Sequence, residues 1–171
     1  MRHRIIYTRF DGGVSVTCPT DWIMHVLAHG QFWLGMPRGF VDAQIERQIA
    51  RGVHPYAAVR YARAMVSGGL TTAEALEVIR DRDCGHLGTA HELWDVDDIP
   101  RDQWFRNAWV RSHNGGPIGI DLRKAKRIQY QRLTAAASKS RATIQLGRWR
   151  DRIRKAETSE DLRRLWPEGL T

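Results

Sequence analysis

His25 and His29 stand four residues apart, the spacing that puts two imidazoles on one helical face as a pair of zinc ligands. The zincin pattern also needs Glu after the first His. Position 26 is Val, and no third ligand is identified, so partly buried or rim histidines are the plainer reading. Cys84, His86 and His91 form the one Cys/His cluster of the sequence, but Cys84-x-His86 is very close for a closed tetrahedral site. A nucleophilic Cys84 would need a positioned base and a third group to orient it. His86 can reach it, yet nothing marks an oxyanion site. Asp95, Asp97 and Asp98 suggest Mg²⁺ less readily than a solvated strand edge followed by a helix cap. No glycine-rich phosphate loop follows a strand, and no Ser-His-Asp order can be argued. The expectation is no metal, no cofactor, no small-molecule substrate and no catalytic residue; the chain is not read as an enzyme.

Two further groups bear on binding. Trp104, Phe105 and Trp109 can stack on bases in a single-stranded site. Their spacing on an expected helix over 100–111 instead favours core packing, where each ring removes a large apolar area from water. Leu122 and Ile128 are assigned to the same core. The second group is basic. Residues 1–99 hold 10 Arg against 12 acids, whereas residues 100–171 hold 17 Lys and Arg against 7 acids, so the net charge of +8 sits in the second part of the chain. Arg123, Lys124, Lys126, Arg127, Arg148, Arg150, Arg152 and Arg154 are the candidate polyanion contacts, with a solvated Arg-rich face as the alternative.

These residues need elements to hold them. The run over 4–9, Asp11-Gly12-Gly13 and the alternating 14–18 predict a β-hairpin, because glycine accepts the positive φ of a tight turn. Pro19, without an N–H, ends the second strand. Thr20 or Asp21 caps a helix over 22–29 that Gly30 stops. Phe32, Trp33, Leu34 and Met36 make a dense apolar loop that must pack on the core or on another subunit, and they are the candidate partner interface. An amphipathic helix is expected over 40–51 with Phe40, Val41, Ile45 and Ile49 on its inner face. Another is expected over 56–67, broken by Gly68-Gly69. Thr71 and Glu74 form a capping box ahead of a helix over 72–81. This helical pair resembles a helix-turn-helix, but Glu74, Glu77, Asp81 and Asp83 on its second half disfavour contact with phosphate.

Residues 83–91 read as a loop and 93–96 as a short strand. Asn114-Gly115-Gly116 is a turn, and 118–120 a brief extended piece. Asp121 caps a helix over 122–139 with Leu122, Ala125, Ile128 or Gln129, and Leu133 inward. Ser138 and Ser140 are possible interruptions of it. A second helical stretch, 141–156, carries Ile144, Trp149 and Ile153. Thr158 caps a last helix to Trp166, ended by Pro167 and Gly169. The fold class is therefore α+β, predominantly α-helical, with a short N-terminal antiparallel hairpin joined by a strand near 93–96. A single domain is expected over 1–171, with a helical insertion-like block at 20–90 and a basic helical region at 121–171. No apolar run approaches the ~20 residues of a membrane span. The N-terminus lacks the apolar region of a secretory signal. Cys18 and Cys84 have no framework spacing, which favours a reduced cytosolic setting.

Four pieces resemble a family of small proteins of unknown function encoded by tailed bacteriophages and prophages, often near tail genes. They are the hairpin Ile5–Pro19 (IIYTRFDGGVSVTCP), Asp95–Trp109 (DVDDIPRDQWFRNAW), Ile118–Ile128 (IGIDLRKAKRI) and Ala156–Pro167 (AETSEDLRRLWP). Their order is that of the family. Gln103 replaces the family's Arg, and residues 20–90 depart from its pattern. The last piece also resembles the ends of some tail assembly chaperones. The resemblance brings no active site. It implies a virion component of the tail or neck, or a tail-assembly helper, located in the virion or in the host cytoplasm during assembly. Its partners would be other phage structural proteins or further copies of the chain. A nucleic-acid-binding accessory role through the basic helices is the alternative.

Overall fold

The structure is a computed structural model, and it describes residues 2–139 and 145–168. Ser140, Ile144 and Gly169 lie outside the described residues. Helix takes 54% of the described residues and strand 19%, so the class is α+β, predominantly helical. The chain divides into two compact units, residues 1–99 with 112–116, and residues 100–111 with 117–171.

In the first unit, β1 (His3–Arg9) lies between β2 (Val14–Thr17) and β3 (Gly88–Asp95), antiparallel to both. As the central strand it is paired along both edges, and Ile5, Ile6, Tyr7 and Thr8, which alternate between its faces, are all buried. The Asp11–Gly13 turn forms as expected: Gly12 has φ +76°, and the Gly13 N–H donates to the Asp11 carboxylate at 2.9 Å. β3 starts earlier than its own residues suggest. Residues 83–91 are not one loop: a π-helical turn covers Arg80–Cys84 and the strand begins at Gly88. The reason is pairing with β1, a contact distant in sequence. Gly88 is required there, since a Cβ would collide with the Thr8 carbonyl. Ala90 and His91 together face Tyr7 in a bulge, and Ala90 takes φ +49°.

Four helices follow the hairpin and precede β3: α1 (Asp21–His29), α2 (Arg38–Ala50), α3 (Pro55–Ser67) and α4 (Thr72–Ile79). Thr20 caps α1 through the Ile23 N–H, and Thr71 with Glu74 closes the capping box on α4. Ile5, Tyr7, Val26, Leu27, Tyr61, Met65 and Ile79 share the main core of this unit. α2 departs from the amphipathic expectation. Ile45 packs on Val53, Ala57 and Ala58, but Phe40 and Val41 are half-buried and Ile49 is exposed.

α1 and α3 end against each other. Helix C-termini leave carbonyls without intrahelical partners. Here the Gly69 and Leu70 N–H groups donate to Ala28 and Leu27 of α1, and the Gln31 and Trp33 N–H groups donate to Val66 and Met65 of α3.

The second unit is built on α5 (Leu122–Lys139), α6 (Leu146–Lys155) and α7 (Ser159–Arg164). Asp121 caps α5 by accepting the Lys124 N–H at 3.0 Å. Thr158 and Asp161 form a capping box on α7. Phe105, Ala125, Leu133, Ile153, Ala156 and Leu162 make its core, with Trp104, Leu122, Ile128, Trp149 and Trp166 packed around them. The expected helix over 100–111 is absent. Residues 100–105 are irregular, Arg106–Ala108 is a single 3₁₀ turn, and Trp109 opens β4 (Trp109–Ser112), which pairs with β5 (Gly115–Ile120). Asp97 and Asp98 likewise lie in a 3₁₀ turn and cap no helix. Among the described residues no helix is long and apolar enough to cross a membrane.

Candidate interaction surfaces

The apolar loop leaves α1 at Gly30, where the paired helix ends hold its backbone. The Leu34 N–H then donates to Gln31 at 3.3 Å and the Met36 N–H to Trp33 at 3.2 Å, winding the loop into two tight turns. This winding sorts the side chains. Trp33 turns inward, edge-on to Tyr61 at 6.1 Å and to Phe40 at 5.7 Å, and packs on the core. Phe32, Leu34 and Met36 turn outward and remain 51%, 65% and 48% exposed. The loop therefore divides by residue: Trp33 packs on the core, and Phe32, Leu34 and Met36 are left facing outward.

Trp22 joins the outward set. It is 55% exposed, and its ring stands edge-on to Phe32 at 5.0 Å. The signal for it lay in helical phase. Trp22, His25 and His29 share one stripe of α1, while Ile23, Val26 and Leu27 face the protein. His25 and His29 are both exposed with ring centroids 4.4 Å apart. No group of three metal-ligating side chains occurs among the described residues.

The other chemical candidates are dispersed. Cys84 is buried, and its thiol contacts Thr17 Oγ1 at 3.5 Å. Burial raises the Cys84 thiol above its ordinary pKa, outweighing the Thr17 contact that lowers it. His91 donates from Nε2 to the Cys84 carbonyl at 2.8 Å and stacks on Tyr7, which leaves its imidazole engaged. Arg2 bridges Asp95 at 3.4 Å and Asp97 at 3.0 Å, and Asp95 also accepts the Asp97 N–H. On α4, Glu74 and Glu77 pair with Arg60 at 3.3 and 3.6 Å.

The rings of 104–109 are no stacking platform. Phe105 and Trp109 are buried. Trp104 is half-buried, edge-on to Trp166 at 5.6 Å, with the Arg132 guanidinium 4.4 Å from its ring centre. Compared with family models, curated proteins and solved structures, the chain matches none.

The basic residues form several rows. Arg148 and Arg152 share one side of α6, Arg150 and Arg154 another, flanking the inward stripe of Leu146, Trp149 and Ile153. Arg152 covers the Trp149 ring at 4.5 Å, and Arg154 pairs with Asp151 at 3.6 Å. Lys126 is tied to the Arg154 carbonyl at 2.8 Å, joining α5 to α6. Arg123, Lys124 and Arg127 line a depression of about 390 Å³ beside Asp121 at the start of α5. Among the described residues Arg123, Arg127, Arg148 and Arg150 have no acidic partner.

Proposed function

We propose that the chain is a non-enzymatic bacteriophage protein of the tail or neck region, a virion component or a tail-assembly helper, acting through protein–protein contacts. One observation carries the reading. Trp22 of α1 stands exposed against Phe32, and Phe32, Leu34 and Met36 are exposed on a loop held by backbone hydrogen bonds to α3. Large apolar groups gathered in this way characterise association surfaces, and a held backbone reduces the ordering cost of binding. The resemblance of the hairpin and of the segment ending at Trp109 to phage tail-gene neighbours supplies the context. Cys84 is buried against Thr17 and His91 is bonded to the Cys84 carbonyl, which favours a contact role over a reaction at this pair. The partner is another phage structural protein or a second copy of the chain. Mass spectrometry of purified particles and of tail-assembly intermediates tests this: the chain is expected in one of the two, and absence from both would overturn the reading.

A second reading rests on Arg123, Arg127, Arg148 and Arg150, which have no acidic partner among the described residues, and makes the second unit a nucleic-acid contact. Phosphate contacts would make log affinity fall with log salt by about 0.9 per contact on duplex. A flat salt response would remove this alternative.

A further inference from the structure

We propose that the cavity beside α2 in the first unit binds a small phosphate-bearing ligand, with Arg47 and Arg51 holding the phosphate. The proposal is independent of the partner surface. The cavity measures about 470 Å³, within the range of small-ligand pockets.

Its outer wall is a polar stripe of one helix. Gln44, Arg47 and Gln48 share one face of α2, Arg51 follows as the residue that caps its end, and all four line the cavity. A helix that only had to pack would place aliphatic residues on an inner stripe. α2 has such residues on a neighbouring side, where Ile45 meets Val53, Ala57 and Ala58. The polar stripe thus coexists with a packing face.

Charge selects the ligand class. Arg82, also in the lining, is already committed: Asp83 accepts from its Nε and its terminal nitrogen, both at 2.6 Å, and its guanidinium lies 3.7 Å from the Tyr61 ring centre. That pair contributes no net charge. Arg47 and Arg51 have no acidic partner among the described residues, and their spacing of one helical turn suits two guanidinium forks on one anion. Gln48 and His86 are also in the lining, and Gln48 Oε1 and His86 Nδ1 are shielded from solvent with no hydrogen-bond partner among the described residues. Buried polar atoms ordinarily have one. A ligand carrying polar groups beside its phosphate would satisfy them once the Gln48 and His86 side chains turn toward it, while Trp33 and Val53 add apolar lining. A phosphate ester of nucleotide size meets these conditions.

The test is isothermal calorimetry on the full chain with ADP, pyrophosphate and adenosine as probes. ADP or pyrophosphate is expected to bind, adenosine far more weakly. The Arg47→Gln/Arg51→Gln variant is expected to weaken binding at least about tenfold, as for loss of charge-assisted hydrogen bonds. Its fold should survive, since Arg47 and Arg51 are exposed and circular dichroism can confirm native helicity. An Arg63→Gln variant, exposed on α3 and outside the cavity lining, should bind as the parent does. No binding of either phosphate probe, equal binding of adenosine, or loss confined to the Arg63→Gln variant would each overturn the proposal.

Discussion

Gly30 and Gly68 meet backbone to backbone at the joined ends of α1 and α3. A Cβ on Gly30 would collide with the Gly68 nitrogen and the Ser67 carbonyl carbon, and a Cβ on Gly68 with the His29 carbonyl carbon and the Gly30 nitrogen. Both residues also sit near φ +70°, ψ −145°, a region that side chains other than glycine's hardly enter. Gly68→Ala therefore carries conformational strain and a backbone collision together. The expected cost is about 3 kcal/mol or more in chemical denaturation. Because this contact positions the loop that bears Phe32 and Leu34, the variant should also lose any partner binding. A loss below about 1 kcal/mol would mean that the two helix ends do not touch as described.

Gln129 is a buried amide with both ends engaged. Its Oε1 accepts the Trp104 indole N–H at 2.8 Å, and its Nε2 donates to the Leu165 carbonyl at 2.8 Å. It thereby ties the irregular segment before β4 and the end of α7 to α5. Gln129→Leu keeps the volume and leaves two polar groups unpaired, at about 1 to 3 kcal/mol for each that stays buried. Trp109→Ala is expected to cost about 3 to 5 kcal/mol, as large aromatic truncations in cores do. Denaturant melts of both variants check the assignment.

The two thiols should differ in reactivity. Cys18 is exposed, whereas Cys84 is buried with its thiol pushed up in pKa by that burial. The thiolate is the reacting form, so a folded sample at neutral pH should label quickly at Cys18 and slowly at Cys84. Denaturant should make the two equal. Peptide mapping after a short alkylation pulse reads the outcome.

The capping box on α4 gives a pH signature. Glu74 accepts the Thr71 backbone N–H at 2.9 Å and the Thr71 hydroxyl at 2.7 Å, which hold its carboxyl below the ordinary range, with Arg60 adding to the effect. A carboxylate lowered on folding stabilises above its unfolded pKa, and that contribution disappears as pH falls through the folded value. Glu74→Gln should therefore lower the melting temperature at neutral pH, with the difference closing in acid below the Glu74 value. A constant difference across that range would mean that the carboxylate charge is not what matters.

Local chemistry made much of the fold legible. The Asp11–Gly13 turn, the caps at Thr20, Thr71, Asp121 and Thr158, and the helix stops at Gly30 and Gly68 all follow from residues within a turn or two of the feature. The failures involve partners distant in the chain or local hydrogen bonds that compete with helix. Trp104, Phe105, Ala108 and Trp109 have helical spacing, yet Asp102 accepts the Trp104 N–H at 2.8 Å and Gln103 donates to the Pro100 carbonyl at 2.7 Å. Such side-chain bonds offer the backbone an alternative to the helical ladder. β3 reaches back to Gly88 because β1 pairs there, which nothing near Gly88 announces. The candidate contact surface was half legible. The composition of 32–36 marked an apolar loop, but its division into an inward Trp33 and an outward Phe32, Leu34 and Met36, and the addition of Trp22, depend on loop winding and helix phase.

The most direct test of the contact role is a photocrosslinking amino acid at Leu34, the most exposed side chain of the loop, in cells assembling phage particles. Exposed Glu160, in the second unit, serves as the control position. The expected result is a crosslink from position 34 to a phage structural protein or to a second copy of the chain, lost when Phe32 and Met36 are both changed to Ser and absent from position 160. No product at position 34 above that control would contradict the proposed function.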